Sequence, residues 1–495
     1  MRSNAWADAL QRIDEALAAQ PREPRYLIHR AQCLMALGRK TDALAAAAAA
    51  ELCAPADAFV RDAAGTLFSY GNDHARALQS YDAALAQDPN NARVSYNRAS
   101  VRRFLGDLQG AEQDYDRAIV LRPTDYEAYR NRSDLRTQSV QRNHIAQLQA
   151  LLTRPIADWR GEVQLRYALA KEYEDLGAYA ESFDMLSQGA GKQRQHMRYD
   201  VATDLATVQW IIDAFPRAAP AQGGAREVAR AGAARARDDA SEHDAREDDA
   251  PIFVLGLPRS GTTLVERILT SHSALAAAGE LDCFALAIVA AVRLLTGRDR
   301  MARQELVAHS AGVDFAALGK DYIRRARLEV GVAGRFVDKM PLNYLYCGLI
   351  QRALPHAKIV HVTRHPMAAC FAMYKVLFKD AYPFSYDLGE IAQYYIGYRR
   401  LMEHWLTTMP GAVHSLSYEA LVADQLGETR RLLEFCGLEW QDACARFHEN
   451  PLASTTASAA QVRRPMYASS VARWQHYEKQ LAGLKQQLAA AGLRL

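Results

Sequence analysis

No apolar run in this sequence is long enough to cross a bilayer: the longest, Cys283 to Val292, has ten residues, against the roughly 18 that a spanning helix needs. No secretory signal is expected either, because Asp8, Asp14 and Glu15 interrupt the N-terminal segment where its apolar core would lie. Cysteine is sparse and unpatterned. The seven residues at 33, 53, 283, 347, 370, 436 and 444 form no C-x-x-C pair and are odd in number, which fits free thiols in a reducing cytoplasm. An excess of one charge is also absent, since Lys+Arg 60 against Asp+Glu 57 leaves +3. That balance argues against a nucleic-acid or other general polyanion binder, yet leaves room for a local basic pocket. With 49% apolar and 24% charged residues in 495, the chain has a globular composition, and its length predicts several domains at about 100–200 residues each.

What is present first is a period. Pro21, Pro55, Pro89 and Pro123 lie 34 residues apart, and the same spacing links Ala9, Ala43, Ala77 and Ala111, then Ala16, Ala50, Ala84 and Ala118, then Ala31, Gly65, Ala99 and Ser133. Small residues let facing helices approach closely, and a proline after the second helix stops it and starts the next turn. Gly38, Gly71 and Gly106 fall near the turn inside each unit. The pattern, as in DPNNARVSYNRASVRRFLGDLQGAEQDYDRAIVLRP, resembles the tetratricopeptide repeat. It implies a helical solenoid over 1–142, with residues 1–20 as the second helix of an incomplete first unit. The stretch from Tyr167 to Leu186 again reads helix, Leu-Gly turn, helix, but out of register, so 143–216 is expected to be a degenerate repeat bridging to the next domain. Such arrays hold a protein or peptide on their concave face; a purely packing role is the other reading.

Composition then collapses. From Arg217 to Ala250 the only larger aliphatic is Val228, too little apolar surface to offset the entropy of ordering, so 217–250 reads as a low-complexity linker. From 251 to 495 the texture changes to short apolar runs (IFVLGL at 252–257, RFVD at 335–338, KIVHVT at 358–363, AVHSLS at 412–417) separated by helical stretches. That alternation predicts an α/β domain with a parallel sheet.

The strongest local signal is PIFVLGLPRSGTTLVERIL. A buried strand runs through Gly256 and Gly261 into a helix, placing backbone N–H groups and the helix dipole on one point, where a phosphate fits. The spacing is that of the phosphate loop G-x-x-x-x-G-K-[ST], with Thr263 at the Ser/Thr position. Thr262, however, stands where the lysine that reaches the β- and γ-phosphates of a nucleoside triphosphate should be. Hydroxyls from Ser260, Thr262 and Thr263 and a charge from Arg259 suit a single phosphate.

P-R-S-G-T-T at a strand–helix junction resembles the 5′-phosphosulfate loop of sulfotransferases, closest to the tyrosylprotein branch and its repeat-fused bacterial relatives, over 251 to about 480. The resemblance implies 3′-phosphoadenosine 5′-phosphosulfate as donor and no metal. It implies Glu280, after Gly279, as the base for an acceptor hydroxyl, and Lys339 with Arg259 as the charges on the sulfuryl group. Arg364, at the end of KIVHVT, matches the arginine that grips the 3′-phosphate; the family serine eight residues later is Ala372 here, with Lys375 in a place to compensate. Tyr418 matches a nucleotide-contacting tyrosine, with Glu419 a helix cap. In SAAQVRRPMYASSVARWQHY, Ser458 matches a serine near the sulfuryl group, and Arg463, Arg464 and Arg473 are candidates for the 3′-phosphate. His272 reads as packing. Asp338 reads as orienting Lys339, or as a metal ligand in the kinase alternative.

These features imply a cytoplasmic sulfotransferase acting on an acceptor hydroxyl, a protein tyrosine first among the candidates. A small-molecule kinase on the same sheet and a repeat scaffold with a non-catalytic nucleotide-binding domain are the alternatives.

Overall fold

The computed structural model describes residues 2–216, 250–331, 334–450, 452–453, 456 and 461–495; most of the expected linker and Ser458 lie outside them. The chain divides into two compact units. One comprises Met1–Met197, Lys375–Ala381 and Pro451–Arg464, the other Arg198–Tyr374, Tyr382–Asn450 and Pro465–Leu495.

The first unit is helical. After the helix Arg2–Ala19 come the pairs Pro24–Ala36 with Lys40–Cys53, Ala58–Tyr70 with His74–Gln87, and Ala92–Leu105 with Leu108–Leu121. Each proline of the 34-residue series precedes by two residues a helix cap whose side chain accepts a backbone N–H: Glu23, Asp57, Asn91 and Asp125. The cap satisfies a donor that the helix itself leaves open. The small residues are buried where helices cross, with Ala31, Ala43, Ala50, Ala77, Ala99, Ala111, Ala118 and Ser133 at 0% exposure. At Gly65 a Cβ would stand 2.9 Å from the Tyr81 ring, so anything larger would force the facing helix outward. Ala9 and Ala16, by contrast, are only partly buried, as an unpaired first helix requires.

The turn glycines differ in one detail. Gly38 (φ 75) and Gly106 (φ 93) are left-handed, but in the middle unit Asn72 (φ 63) takes that conformation, while Gly71 sits at φ −73. Asparagine tolerates the left-handed region better than most residues. The true period is therefore Gly38, Asn72, Gly106, again 34 residues. The out-of-register pair is Trp159–Asp175 and Tyr179–Gln195, joined through left-handed Gly177.

The second unit is built on five parallel strands, β1 (Ile252–Leu255), β2 (Ala276–Gly279), β3 (Phe336–Asp338), β4 (Lys358–Thr363) and β5 (Val413–Ser417), in the order β2-β3-β1-β4-β5. Both faces are covered, as a parallel sheet requires. On one, Ile252, Val254, Val337, Val360, Val362 and Leu416 pack with Val265, Ile268, Leu269 and Leu432. On the other, Phe253, Phe284, Tyr322 and Phe336 form an aromatic cluster. The helix Val201–Ala214 belongs to this unit, so the helical bridge expected over 143–216 is shared between the two. No helix among the described residues is long and apolar enough to cross a membrane, and all seven cysteines are free.

Candidate active site

The glycine loop of residues 256–263 forms where β1 gives out. Gly256 has φ 142, and a Cβ on it would meet the Val362 carbonyl oxygen of β4 at 2.5 Å; only glycine lets the chain leave the sheet this close to its neighbour. Arg259 is left-handed at φ 66, a conformation that costs a residue with a Cβ about 1–3 kcal/mol. Gly261, at φ 107, is the N-cap of the helix Thr262–Leu269, and no side chain caps that terminus. Ser260, Thr262 and Thr263 are buried around it. An uncapped helix start ringed by hydroxyls is a ready anion site.

Beside the loop, β4 ends and Arg364 turns back onto it. Its Nη1 donates to the Arg259 carbonyl at 2.8 Å and its Nη2 to the Ser470 carbonyl at 2.7 Å. The guanidinium lies 4.9 Å from the centre of the Tyr418 ring. Its Nε is buried with no hydrogen-bond partner among the described residues, a donor that an incoming anion would satisfy. Burial pulls the Arg364 guanidinium below its usual range, and the positive charge of Arg473 acts in the same direction; a bound anion would relieve both. The Tyr418 hydroxyl and Ser470 Oγ are 2.7 Å apart. Glu419 is not the helix cap expected of it: Ser417 caps the helix Tyr418–Ala423, its hydroxyl accepting from the Ala420 N–H. Glu419 instead accepts from the His365 backbone N–H at 2.9 Å and from the Ser417 hydroxyl at 3.1 Å, and the His365 ring stacks on Trp474 at 5.2 Å.

The third element stands at the ends of β2 and β3. The Lys339 N–H donates to the Gly279 carbonyl at 2.9 Å, which brings the residues after the two strands together. The Lys339 side chain is 1% exposed; its Nζ donates to Glu280 Oε1 and lies 3.9 Å from Glu266 Oε2, while Glu280 is 45% exposed. A nearly buried ammonium thus faces a solvent-accessible carboxylate, which offers a base on the open side and a fixed positive charge on the closed side. Burial pushes the Glu266 carboxyl up to about 7, against the opposing pull of Lys339. Asp338 is fully buried, accepts from the Tyr322 hydroxyl at 2.8 Å, and is likewise raised by burial to about 7.

Arg259, Ser260, Gly261, Thr262, Thr263, Glu280, Lys339, Arg364, Tyr418 and Arg473 all lie in the α/β unit. Lys375, Arg463 and Arg464 belong to the helical unit. There the Lys375 ammonium donates to both Glu174 oxygens at 2.8 and 2.9 Å. Arg463 Nη2 donates to the Phe104 carbonyl at 2.8 Å, its guanidinium lying over Gly106; Arg464 is exposed. His272 is a packing residue, its Nε2 3.0 Å from the Glu439 carbonyl oxygen. Glu266, Ser470 and Trp474 were not legible as site residues. Only Glu266 carried a signal, a carboxylate between Val265 and Ile268 on a largely buried helix.

Residues 251–442 match the sulfotransferase family, and residues 1–58 and 63–126 match the tetratricopeptide repeat. An uncharacterized protein of Aquifex aeolicus is 28% identical over 398 residues, 79% of this chain and 50% of the relative. Protein-tyrosine sulfotransferase 1 of Danio rerio is 25% identical over 238 residues, 45% of this chain and 65% of that protein. The chain therefore spans about half to two thirds of the length of these relatives. Among solved structures, the sulfotransferase domain of the Synechococcus PCC 7002 olefin synthase aligns at 16% identity with a TM-score of 0.35, covering 52% of this chain and 98% of that one.

Proposed function

Because the chain joins a tetratricopeptide-repeat region to a sulfotransferase-family domain, we propose that it moves a sulfuryl group from 3′-phosphoadenosine 5′-phosphosulfate to an acceptor hydroxyl. The observation that carries this reading is the pairing of buried Lys339 with exposed Glu280, in the unit that also holds a phosphate loop without the lysine of nucleoside-triphosphate enzymes.

The loop holds the donor's 5′-phosphate through Ser260, Thr262, Thr263 and the helix start. Arg364, with Arg473 beside it, takes the 3′-phosphate, and Tyr418 lies against the nucleotide. Glu280 takes the proton as the acceptor oxygen attacks sulfur. The new S–O bond forms as the bond from sulfur to the phosphate oxygen breaks, and adenosine 3′,5′-bisphosphate leaves with that electron pair. Lys339 and Arg259 stabilise the charge that builds on the oxygens around sulfur. The placement of Lys375 and Arg463 on partners in the helical unit favours Arg364 and Arg473 for the 3′-phosphate. Ser458 stays with the proposal on the resemblance alone.

For the acceptor we propose a protein tyrosine, supported by the likeness to the protein-tyrosine sulfotransferases of Danio rerio and Drosophila melanogaster, with the repeat region as the place where a protein or peptide docks. Thermal unfolding with adenosine 3′,5′-bisphosphate and with ATP plus magnesium tests the donor. Stabilisation by the bisphosphate alone is expected, and stabilisation by ATP alone would instead support a kinase. Transfer of labelled sulfate to host proteins, with the label recovered on tyrosine, tests the acceptor; label on saccharide, lipid or a small phenol overturns it.

A further inference from the structure

We propose that Glu266 is a positioning residue that holds the Lys339 ammonium in place while Glu280 exchanges that ammonium for the acceptor's proton. The inference rests on the sulfuryl-transfer reading above and concerns a residue outside the set already assigned. Lys339 is 1% exposed and faces two carboxylates, Glu280 by direct hydrogen bond and Glu266 at 3.9 Å. The two differ in setting. Glu280 follows the edge strand β2 and its side chain is 45% exposed, whereas Glu266 is 13% exposed on the second turn of the helix that starts at the phosphate loop.

That asymmetry matters at one step. When Glu280 takes the acceptor proton its carboxyl becomes neutral, and its hold on Lys339 weakens at the moment the ammonium is needed by the sulfuryl oxygens. A second carboxylate, on a different element, still holds the ammonium in line. Glu266 also ties Lys339 to the loop's own helix, so the cation and the phosphate cradle are fixed to one rigid element. Lys339 from the end of β3, Glu280 from the end of β2, Asp338 beside Lys339 and Arg267 on the same helix are the charged groups that face Glu266. Burial acts against its negative charge and Lys339 supports it. Protonation of Glu266 near neutral pH would release Lys339, and turnover would fall as the pH drops below about 7.

The test uses the full chain and four forms: wild type, Glu266→Gln, Lys339→Met and the double variant. Calorimetric titration with 3′-phosphoadenosine 5′-phosphosulfate in the absence of acceptor is read first, because this donor carries the sulfuryl oxygens that Lys339 faces and the measurement does not depend on turnover. Glu266→Gln should weaken binding by about tenfold or more, as loss of one partner of a desolvated charge pair does. Lys339→Met should weaken it similarly, and the double variant no further, because both act through one ammonium. Glu266→Gln should also lower kcat and remove the acid limb near pH 7. Wild-type affinity in Glu266→Gln, or additive losses in the double variant, overturns the inference while leaving the donor reading intact. Absence of donor binding by the wild type overturns both.

Discussion

A Cβ on Gly261 would stand 2.7 Å from Tyr418 Cδ2, so the loop glycine and this tyrosine are in contact through the space that glycine leaves. Gly261 is also at φ 107, where any L side chain is strained. Gly261→Ala therefore meets two separate obstacles, each of about 1–3 kcal/mol. We expect bisphosphate affinity to fall by at least about tenfold, since 1.4 kcal/mol corresponds to that factor. Addition of Tyr418→Ala should recover part of the lost folding stability, because it removes the clash and leaves the strain, while affinity stays low because Tyr418 itself belongs to the proposed nucleotide site. Titration calorimetry and thermal unfolding of the single and double variants check the two parts.

Arg364 is built for a forked contact. Two of its five N–H donors are committed to the Arg259 and Ser470 carbonyls, and the buried Nε, with no partner among the described residues, is a further donor for a ligand. A lysine would supply charge but neither the fork nor the anchoring. Arg364→Lys should cost about 2–3 kcal/mol in binding adenosine 3′,5′-bisphosphate, roughly 30- to 150-fold. Binding of adenosine 5′-phosphate, which lacks the 3′ group, should change by less than about threefold. Equal losses for the two ligands would remove Arg364 from the 3′-phosphate.

Much of this architecture could be read from the residues because it is written in local requirements. The 34-residue period marks where helices must touch, and four of the five strands fall on the short apolar runs IFVLGL, RFVD, KIVHVT and AVHSLS. The strand missed in the sequence, β2, reads AAAG; alanine has no preference for a strand, and only pairing with β3 makes it one. The glycine turn between β1 and the helix Thr262–Leu269 was legible because its glycines answer to backbone geometry. The residues around Lys339 were less so. Whether a carboxylate such as Glu266 faces solvent or a buried ammonium depends on a strand more than 70 positions away in the chain, and no local pattern encodes that distance. Lys375 illustrates the same limit, since its nearness in sequence to Arg364 says nothing of its bond to Glu174.

Lys375 yields a prediction that separates fold from donor binding. Its ammonium donates to both oxygens of Glu174, with side chains 23% and 10% exposed. For a pair this accessible to solvent the coupling should be about 1 kcal/mol. Lys375→Met should lower the melting temperature by a few degrees, about 2–4 °C for a unit of this size. Glu174→Gln should do the same, with little further loss in the pair. Bisphosphate affinity should stay within about twofold of wild type in each. A large loss of affinity with an unchanged melting temperature would return Lys375 to the 3′-phosphate.

His361, in the middle of β4, gives the sheet an acid-sensitive point. The residue is 1% exposed, its Nε2 bonds the Tyr398 hydroxyl, and its Nδ1 lies 3.4 Å from Ser415 Oγ. Burial lowers its pKa to about 3, with the positive charge of Arg399 acting in the same direction. In the unfolded chain the imidazole titrates near 6.5. Above that value it is neutral in both states and pH has no effect through it. Between about 6.5 and about 3 the unfolded chain holds a proton that the folded protein refuses, so stability falls as the pH drops, by up to about 1.4 kcal/mol for each unit. Replacing His361 with Gln keeps a polar side chain near Tyr398 but removes the titration. We expect His361→Gln to be less stable than wild type at pH 7.5, because it fills the site less well, and the gap to narrow steadily between pH 6.5 and 4.5. Urea unfolding of the two proteins across that range checks the slope, and a gap constant with pH would show that His361 takes up its proton in the folded sheet.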